Sequence, residues 1–334
     1  MKIAFFEIEN WQKDYLKEKL PKDELSFFAE PLSLVNMNSA TGCQVISPFI
    51  YSQINKDILQ KLPDLKMIAT RSTGFDHIDI QTAKEDKVVV CNVPFYGENT
   101  VAEHTFALIL ALSRKLVDSV QRARTGDFTL DGLRGFDLKD KTLGIIGLGH
   151  IGIHVARIAK GFEMNVLACD PTEDKKLAKK IGFAYSGLED LLSKSDIITL
   201  HVPYCKENFH LIDKKNLKLM KVAALIINTA RGELIDTEEL ISALKNKKIG
   251  GAGLDVLEGE KFLKEEKEFL YKPEKRAELQ QIVEDHELLS FENVVYTPHI
   301  AFFSKEALER IIHTTVQHIL DFEKGKVDEK SKVN

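Results

Sequence analysis

Gly147-Leu-Gly149-His-Ile-Gly152 follows the apolar run Thr142-Leu-Gly-Ile-Ile146 and opens an amphipathic stretch with Ile151, Val155, Ile158 and Ala159 on one face. A GxGxxG placed between a strand and a helix is suited to hold a pyrophosphate. Gly147 permits the turn, Gly149 lets the backbone approach the anion, and Gly152 lets helix and strand pack, with the helix N-terminus facing the negative charge. Asp170 ends the next apolar run, near the ~20-residue spacing at which an acid bonds a ribose 2′-hydroxyl. Pro171 and Thr172 follow it, with no Arg to hold a 2′-phosphate, so the sequence favours NAD over NADP. His150 and His154 fall at variable and helical positions of this unit, and their imidazoles are read as structural.

Three later segments end apolar runs, where an open α/β sheet gathers its ligands. Asn228-Thr-Ala-Arg231-Gly232 offers a planar guanidinium that can hold a carboxylate in two parallel bonds. Gly253-Leu-Asp255-Val-Leu-Glu258-Gly-Glu260 places acids at a strand end, and Tyr296-Thr-Pro298-His299-Ile300 places an imidazole after a proline. Taken singly, each has an ordinary reading: an arginine capping a strand, an acidic turn, a bystander histidine. Together they supply a hydride carrier, a carboxylate clamp, a proton-exchanging His and a carboxylate to hold it. Such a set performs oxidation and reduction at a carbon beside a carboxylate.

The elements that must position these residues are strands alternating with amphipathic stretches from end to end, the pattern of an α/β fold built on parallel sheets. Strands are expected at 2–8, 24–29, 44–47, 66–70 and 88–91, then at 142–147, 165–169, 196–202, 224–229, 251–256 and 293–297. Thr100-Val-Ala-Glu103 reads as a capping box opening a helix to about Asp118 that carries the chain into a second body. The stretch 258–290, dense in Lys and Glu around Phe262, Phe269 and Tyr271, reads as a solvated helical insertion. From Ser304 to about Glu323 the chain reads as an amphipathic helix with Ala307, Ile311, Ile312, Val316 and Ile319 on one side.

At 334 residues the chain is long for one core and is expected to form two bodies with a cleft. With 44% hydrophobic and 29% charged residues it has the composition of a globular protein, and its net charge of -5 gives no general attraction to nucleic acid or an anionic membrane. The longest apolar run, 106–112, is far short of the roughly 20 residues of a membrane span. Glu7 and Glu9 interrupt the position of a signal-peptide core. The cysteines Cys43, Cys91, Cys169 and Cys205 form no CxxC or metal-ligand cluster, so the expectation is reduced thiols, no metal and a cytoplasmic protein.

These motifs, with Arg71-Ser-Thr-Gly74-Phe-Asp76-His-Ile-Asp79, Asn92-Val-Pro94-Phe-Tyr96 and Val101-Ala-Glu103-His104, resemble the D-isomer-specific 2-hydroxyacid dehydrogenases over nearly the whole chain. Within that family the chain is most similar to the D-lactate dehydrogenase branch. Two departures stand out: Phe303 occupies a position that is often Tyr, and the stretch from Glu260 to His299 is longer than usual.

The resemblance implies a doubly wound Rossmann NAD-binding domain at 99–301 and a smaller flavodoxin-like α/β substrate domain made of 1–98 and 302–334. It implies His299 as acid/base, Glu260 as its partner and Arg231 as carboxylate anchor. Cofactor-binding positions are Gly147, Gly149, His150, Ile151, Gly152, Asp170, Val202, Pro203, Thr229, Ala230, Arg231, Asp255 and His299. Substrate-binding positions are Arg231, Tyr51, Thr73, Gly74, Tyr96 and Phe302, with Phe302 and Tyr51 suited to a small 2-oxoacid. The expected reaction is reversible NADH-dependent reduction of pyruvate, in a homodimer formed through the NAD-binding domain. Larger 2-oxoacids such as 2-oxoisocaproate or phenylpyruvate are the alternative substrates, and an NAD-sensing interaction protein is the alternative outside enzymes.

Overall fold

The computed structural model describes residues 1–260 and 276–334, with side chains in the last helices from residue 280 onward. Phe262, Phe269 and Tyr271 of the expected charged insertion lie outside the described residues. Two compact units emerge: Met1–Tyr96 together with Ser304–Asn334, and Gly97–Phe303.

The first unit is built on five parallel strands, β1 (Lys2–Phe5), β2 (Glu24–Phe27), β3 (Val45–Ser47), β4 (Met67–Ala69) and β5 (Val89–Cys91), in the order β2-β1-β3-β4-β5. That is the flavodoxin-like strand order. Alternation along each strand sends Ala4, Ile46, Ile68 and Val90 to one apolar cluster and Ile3, Phe5, Val45, Met67, Ala69 and Cys91 to another. Both faces are therefore buried, which is why these strands read as continuous apolar runs. The second cluster is closed by Ile312, Val316 and Ile319 of the helix Lys305–Glu323. Ser304 caps that helix, its hydroxyl accepting from the Ala307 amide at 3.2 Å.

The second unit carries seven parallel strands: β6 (Thr142–Ile146), β7 (Asn165–Cys169), β8 (Ala184–Tyr185), β9 (Ile197–Leu200), β10 (Leu225–Asn228), β11 (Gly251–Leu254) and β12 (Val294–Tyr296). Their order, β12-β11-β10-β9-β6-β7-β8, reverses between β6 and β9. This is the doubly wound dinucleotide-binding arrangement, whose ligand crevice lies beyond the strand carboxyl ends at the reversal. The two-residue β8 has no counterpart among the strands expected from sequence, because it is too short to show a period.

Every expected strand except 165–169 is one to three residues shorter than expected, and one helix differs at both ends. The helix expected to open at Thr100 starts earlier, at Glu98, with Gly97 as its N-cap, and ends at Ser113. Thr100 is thus inside the helix, where its hydroxyl cannot serve the first-turn amides, and Glu103 accepts from Asn99 at 3.2 Å instead. An acidic Glu98 in the first turn suits the helix dipole and sets the start. Lys115, in the left-handed region at φ 52°, separates this helix from a second one, Leu116–Arg124.

Asp285, on the helix Arg276–Leu289, is fully buried. Its Oδ1 accepts from Gln281 at 3.1 Å, while Oδ2 finds no hydrogen-bond partner among the described residues. Burial pushes its pKa up to about 7. A carboxyl that binds its proton more tightly folded than unfolded stabilises the fold at low pH, and that contribution is lost as pH rises through about 7. Asp285→Asn should therefore become progressively more stable relative to the wild type from about pH 4 to pH 7, by up to ~1.4 kcal/mol per pH unit, and the difference should level off above that. Denaturant unfolding at several pH values reads this out; a difference that does not change with pH would contradict it.

Candidate active site

The catalytic candidates cluster at the carboxyl ends of β10, β11 and β12 in the second unit. After β12, His299 adopts φ 55°, and its amide donates to the carbonyls of Asp255 and Thr297, both at 2.8 Å. The ring is thereby turned to Glu260, with Nδ1 donating to Oε1 at 2.8 Å. A carboxylate can only accept, so Nδ1 carries the hydrogen and Nε2 is the nitrogen available to exchange a proton elsewhere. His299 is about one-third exposed and Glu260 about one-fifth, so the pair is open enough for a ligand to reach and sheltered enough to stay ordered. Phe302, buried, meets the His299 ring edge-on with centroids 6.4 Å apart.

Asp255 explains how this loop is held. Its side chain is buried to 1% exposure, and Oδ1 accepts from the Thr297 hydroxyl at 2.6 Å and the Ile300 amide at 2.9 Å. Oδ2 accepts from the Ala301 amide at 2.9 Å. The Thr297 hydroxyl has one hydrogen, given to Asp255, so at 2.9 Å it accepts from His104 Nε2. The Asp255 carboxylate is thus taken up by the loop that carries His299, and its part is to fix that loop.

Arg231 leaves β10 on a turn organised by Asn228, whose side chain donates to the Arg231 carbonyl at 2.8 Å and accepts from the Ala230 amide at 3.0 Å. One guanidinium nitrogen donates to the Ala230 carbonyl at 2.7 Å. Thr229 meets Thr105, hydroxyl to hydroxyl, at 3.1 Å. Gly232 is required by close approach: a Cβ there would stand 2.0 Å from the Leu257 carbonyl carbon. The turn bearing Arg231 and the turn bearing Glu260 consequently pack backbone to backbone.

At the sheet's reversal point, Gly147 takes φ 93°, and a Cβ on it would strike the His201 backbone at 2.7 Å. A Cβ on Gly152 would meet the Gly147 carbonyl at 2.2 Å, whereas one on Gly149 would meet nothing within 4 Å. His150 and Ile151 begin the helix His150–Gly161, which has no side-chain cap. Asp170 bonds the same loop, accepting from the Leu148 amide at 2.7 Å and the Thr172 amide at 2.8 Å. Val202 and Pro203 follow β9, and the Pro203 carbonyl accepts from Asn208 at 2.7 Å. Next to Gly147, the half-buried His201 is desolvated, which pushes its pKa down to about 3, so it is neutral and structural.

Residues 106–301 match the family described as D-isomer specific 2-hydroxyacid dehydrogenase, NAD binding domain. The chain is 38% identical to the D-lactate dehydrogenase of Escherichia coli over 330 residues, covering 98% of each. It is also 38% identical over 333 residues to a 2-hydroxyacid dehydrogenase homolog of Haemophilus influenzae, again covering 98% of each. Among solved structures, the D-lactate dehydrogenase of Aquifex aeolicus complexed with NAD and lactic acid superposes with a TM-score of 0.87 at 36% identity, covering 99% of this chain and 98% of that one. The chain belongs to the D-isomer-specific 2-hydroxyacid dehydrogenases.

As a member of that family it takes NAD, and its own residues fit the cofactor. The open side of Gly149 and the uncapped helix start suit a pyrophosphate, and Asp170, fixed by two amides, retains acceptor capacity for a ribose hydroxyl. No group of three or more His, Cys, Asp or Glu among the described residues could hold a metal ion.

In the first unit, the dehydrogenase places Tyr51, Thr73 and Gly74 in loops at strand carboxyl ends. The Glu7 carboxylate accepts from the Tyr51 amide at 2.9 Å and the Ser52 amide at 2.8 Å. Thr73 donates through its hydroxyl to the Val93 carbonyl at 2.8 Å and accepts at its carbonyl from Asn92 at 2.7 Å. The Gly74 carbonyl accepts from Ser72 at 2.6 Å, and the Tyr96 carbonyl accepts from Arg310 at 2.6 Å. Beneath these loops Arg71 is fully buried, donating to the carbonyls of Ser47 at 2.8 Å and Glu7 at 2.9 Å; burial lowers its pKa to about 10. Arg71, Asn228, Thr297 and His104 have no assigned role in the sequence reading. Their signal was only their presence inside motifs, since each acts through contacts with residues distant along the chain.

Proposed function

We propose that this chain is an NAD-dependent D-lactate dehydrogenase that reversibly reduces pyruvate, with His299 as acid/base, Glu260 as its partner and Arg231 as the carboxylate anchor. The observation that carries the chemistry is the His299–Glu260 pair, 2.8 Å apart on a loop fixed by Asp255. Bound NADH supplies the hydride that reduces the 2-oxoacid carbon. Arg231 binds the substrate carboxylate, and its positive charge favours the electron density that builds on the neighbouring carbonyl oxygen. His299 delivers the proton to that oxygen from Nε2, and Glu260 keeps the ring in the tautomer and orientation this requires.

Cofactor-binding roles are assigned to Gly147, Gly149, His150, Ile151, Gly152, Asp170, Val202, Pro203, Thr229, Ala230 and Arg231, and substrate-binding roles to Tyr51, Thr73, Gly74, Tyr96 and Phe302. Asp255 acts by holding the His299 loop. A bulky Phe302 edge against His299 favours a small substrate. A panel of 2-oxoacids followed by NADH absorbance tests this: kcat/KM is expected to be highest for pyruvate, and a preference for phenylpyruvate or 2-oxoisocaproate would replace the assignment. Asp170→Ala is expected to reduce the preference for NADH over NADPH, since it removes the carboxylate that repels a 2′-phosphate. Unchanged discrimination in steady-state assays would place that contact elsewhere.

The helix Leu116–Arg124 buries none of its residues, and Leu116, Val117 and Val120 are exposed, as are Phe128 at 80% and Leu130 at 83% in the segment that follows. These exposed apolar side chains in the NAD-binding unit suit a second copy of the chain, and we assign a homodimer to them. Light scattering should give twice the chain mass. A cytoplasmic location agrees with four cysteines that form no disulfide.

A further inference from the structure

Glu258, two residues before Glu260, directs its carboxylate away from His299. Its Oε1 accepts from His210 Nε2 at 2.9 Å and its Oε2 from the Thr237 hydroxyl at 3.2 Å. The other ring nitrogen of His210, Nδ1, lies 3.4 Å from Asp236 Oδ2. One imidazole therefore stands between two carboxylates that belong to different turns. Phe209 stacks on that imidazole, with centroids 3.8 Å apart and planes at 20°.

The backbone is joined in the same sense. The His210 amide donates to the Glu233 carbonyl and the Ile212 amide to the Leu234 carbonyl, both at 2.9 Å, while the Asp236 amide donates to the Ile212 carbonyl at 3.1 Å. Asp236 also caps the helix Thr237–Lys245 by accepting from the Glu239 amide at 3.1 Å. On the other side, Gly232 abuts the Leu257–Glu258 backbone. His210 thus ties the turn that begins at Arg231 to the turn that ends at Glu260.

We propose that His210 is a positioning residue for the reaction: by its hydrogen bond to Glu258, with its own backbone joined to the Glu233–Leu234 turn, it sets the placement of the Arg231 guanidinium relative to the His299–Glu260 pair. This rests on the assignments of Arg231, Glu260 and His299 made above. Those two turns leave separate strands, and the sheet alone does not fix their tips. The hydrogen bonds of Glu258 to His210 and Thr237 add a side-chain constraint to the backbone contact at Gly232. Precise placement matters here, because an error of about 1 Å between binding and reacting groups costs about 100-fold in rate.

The test compares His210→Ala, His210→Gln and Glu258→Gln in the full chain, measuring kcat, KM for pyruvate, KM for NADH and the thermal midpoint. His210→Ala is expected to lower kcat/KM for pyruvate by ~10- to 100-fold with KM for NADH within ~2-fold of wild type. His210→Gln, which can still donate to Glu258, should recover most of the loss. Glu258→Gln, a near-isosteric change that preserves the fold if the alanine variant does not, should lose activity in the same direction. In an Arg231→Lys background, His210→Ala should cost less than ~3-fold, because the group it places is already compromised. Wild-type kcat/KM in His210→Ala, or a loss that multiplies fully with that of Arg231→Lys, would overturn the proposal. A wild-type protein inactive on every 2-oxoacid would instead overturn the functional assignment on which it rests.

Discussion

Replacing His299 with Asn lowers kcat for pyruvate reduction by about 10²- to 10⁴-fold while NADH binding, followed by fluorescence titration, stays near the wild-type value. The size follows from the role. His299 donates Nδ1–H to Glu260, so the proton for the substrate oxygen comes from Nε2. Asn has no group that can give up a proton near neutral pH, and the alkoxide forming on the substrate would have to take its proton from water. The fold should tolerate the change, because the loop is held by the Asp255 carboxylate on the amides of Ile300 and Ala301 and by the His299 amide, not by the imidazole. Single-turnover measurements separate the chemical step from product release. A kcat within tenfold of wild type would remove His299 from the proton-transfer role.

Arg231→Lys is expected to raise KM for pyruvate by roughly 10- to 100-fold, since a charge-assisted hydrogen bond is worth about 1.5–3 kcal/mol and each 1.4 kcal/mol is a factor of ten. Lysine keeps the charge but replaces a planar fork by a single ammonium, which can approach one carboxylate oxygen but cannot hold both in parallel. The Arg231 side chain also donates to the Ala230 carbonyl, so its geometry is set within its own turn, and a lysine would lose that registration as well. Some loss in kcat accompanies the rise in KM because a carboxylate that pivots no longer presents its carbonyl to His299. An unchanged KM would show that the substrate carboxylate is held elsewhere.

The parallel α/β character was legible in the sequence because strands buried on both faces are written as uninterrupted apolar runs. Residues 143–146 and 225–227 show this, with every position buried. The glycine turn was legible for a different reason: Gly147 and Gly152 occupy positions where a Cβ would collide with backbone. Local competition hid the start of the helix Glu98–Ser113, where Thr100 and Glu103 have the spacing of a capping box but Gly97 and Glu98 precede them. Long-range contacts hid more. The His104–Thr297 hydrogen bond joins positions 193 apart, and nothing in either local motif announces the other. In the acidic turn, Glu258 and Glu260 look alike by spacing, yet one bonds His210 and the other His299. Only the fold of the turn, with Gly259 at φ 69° between them, separates the two directions.

The claim that this dehydrogenase acts on pyruvate with D stereochemistry meets its most direct test in one measurement. Purified protein is incubated with pyruvate and NADH to completion, and the product is resolved by chiral chromatography. The account predicts D-lactate formed in equal amount to the NADH consumed. L-lactate, a racemic product, or no lactate would contradict it.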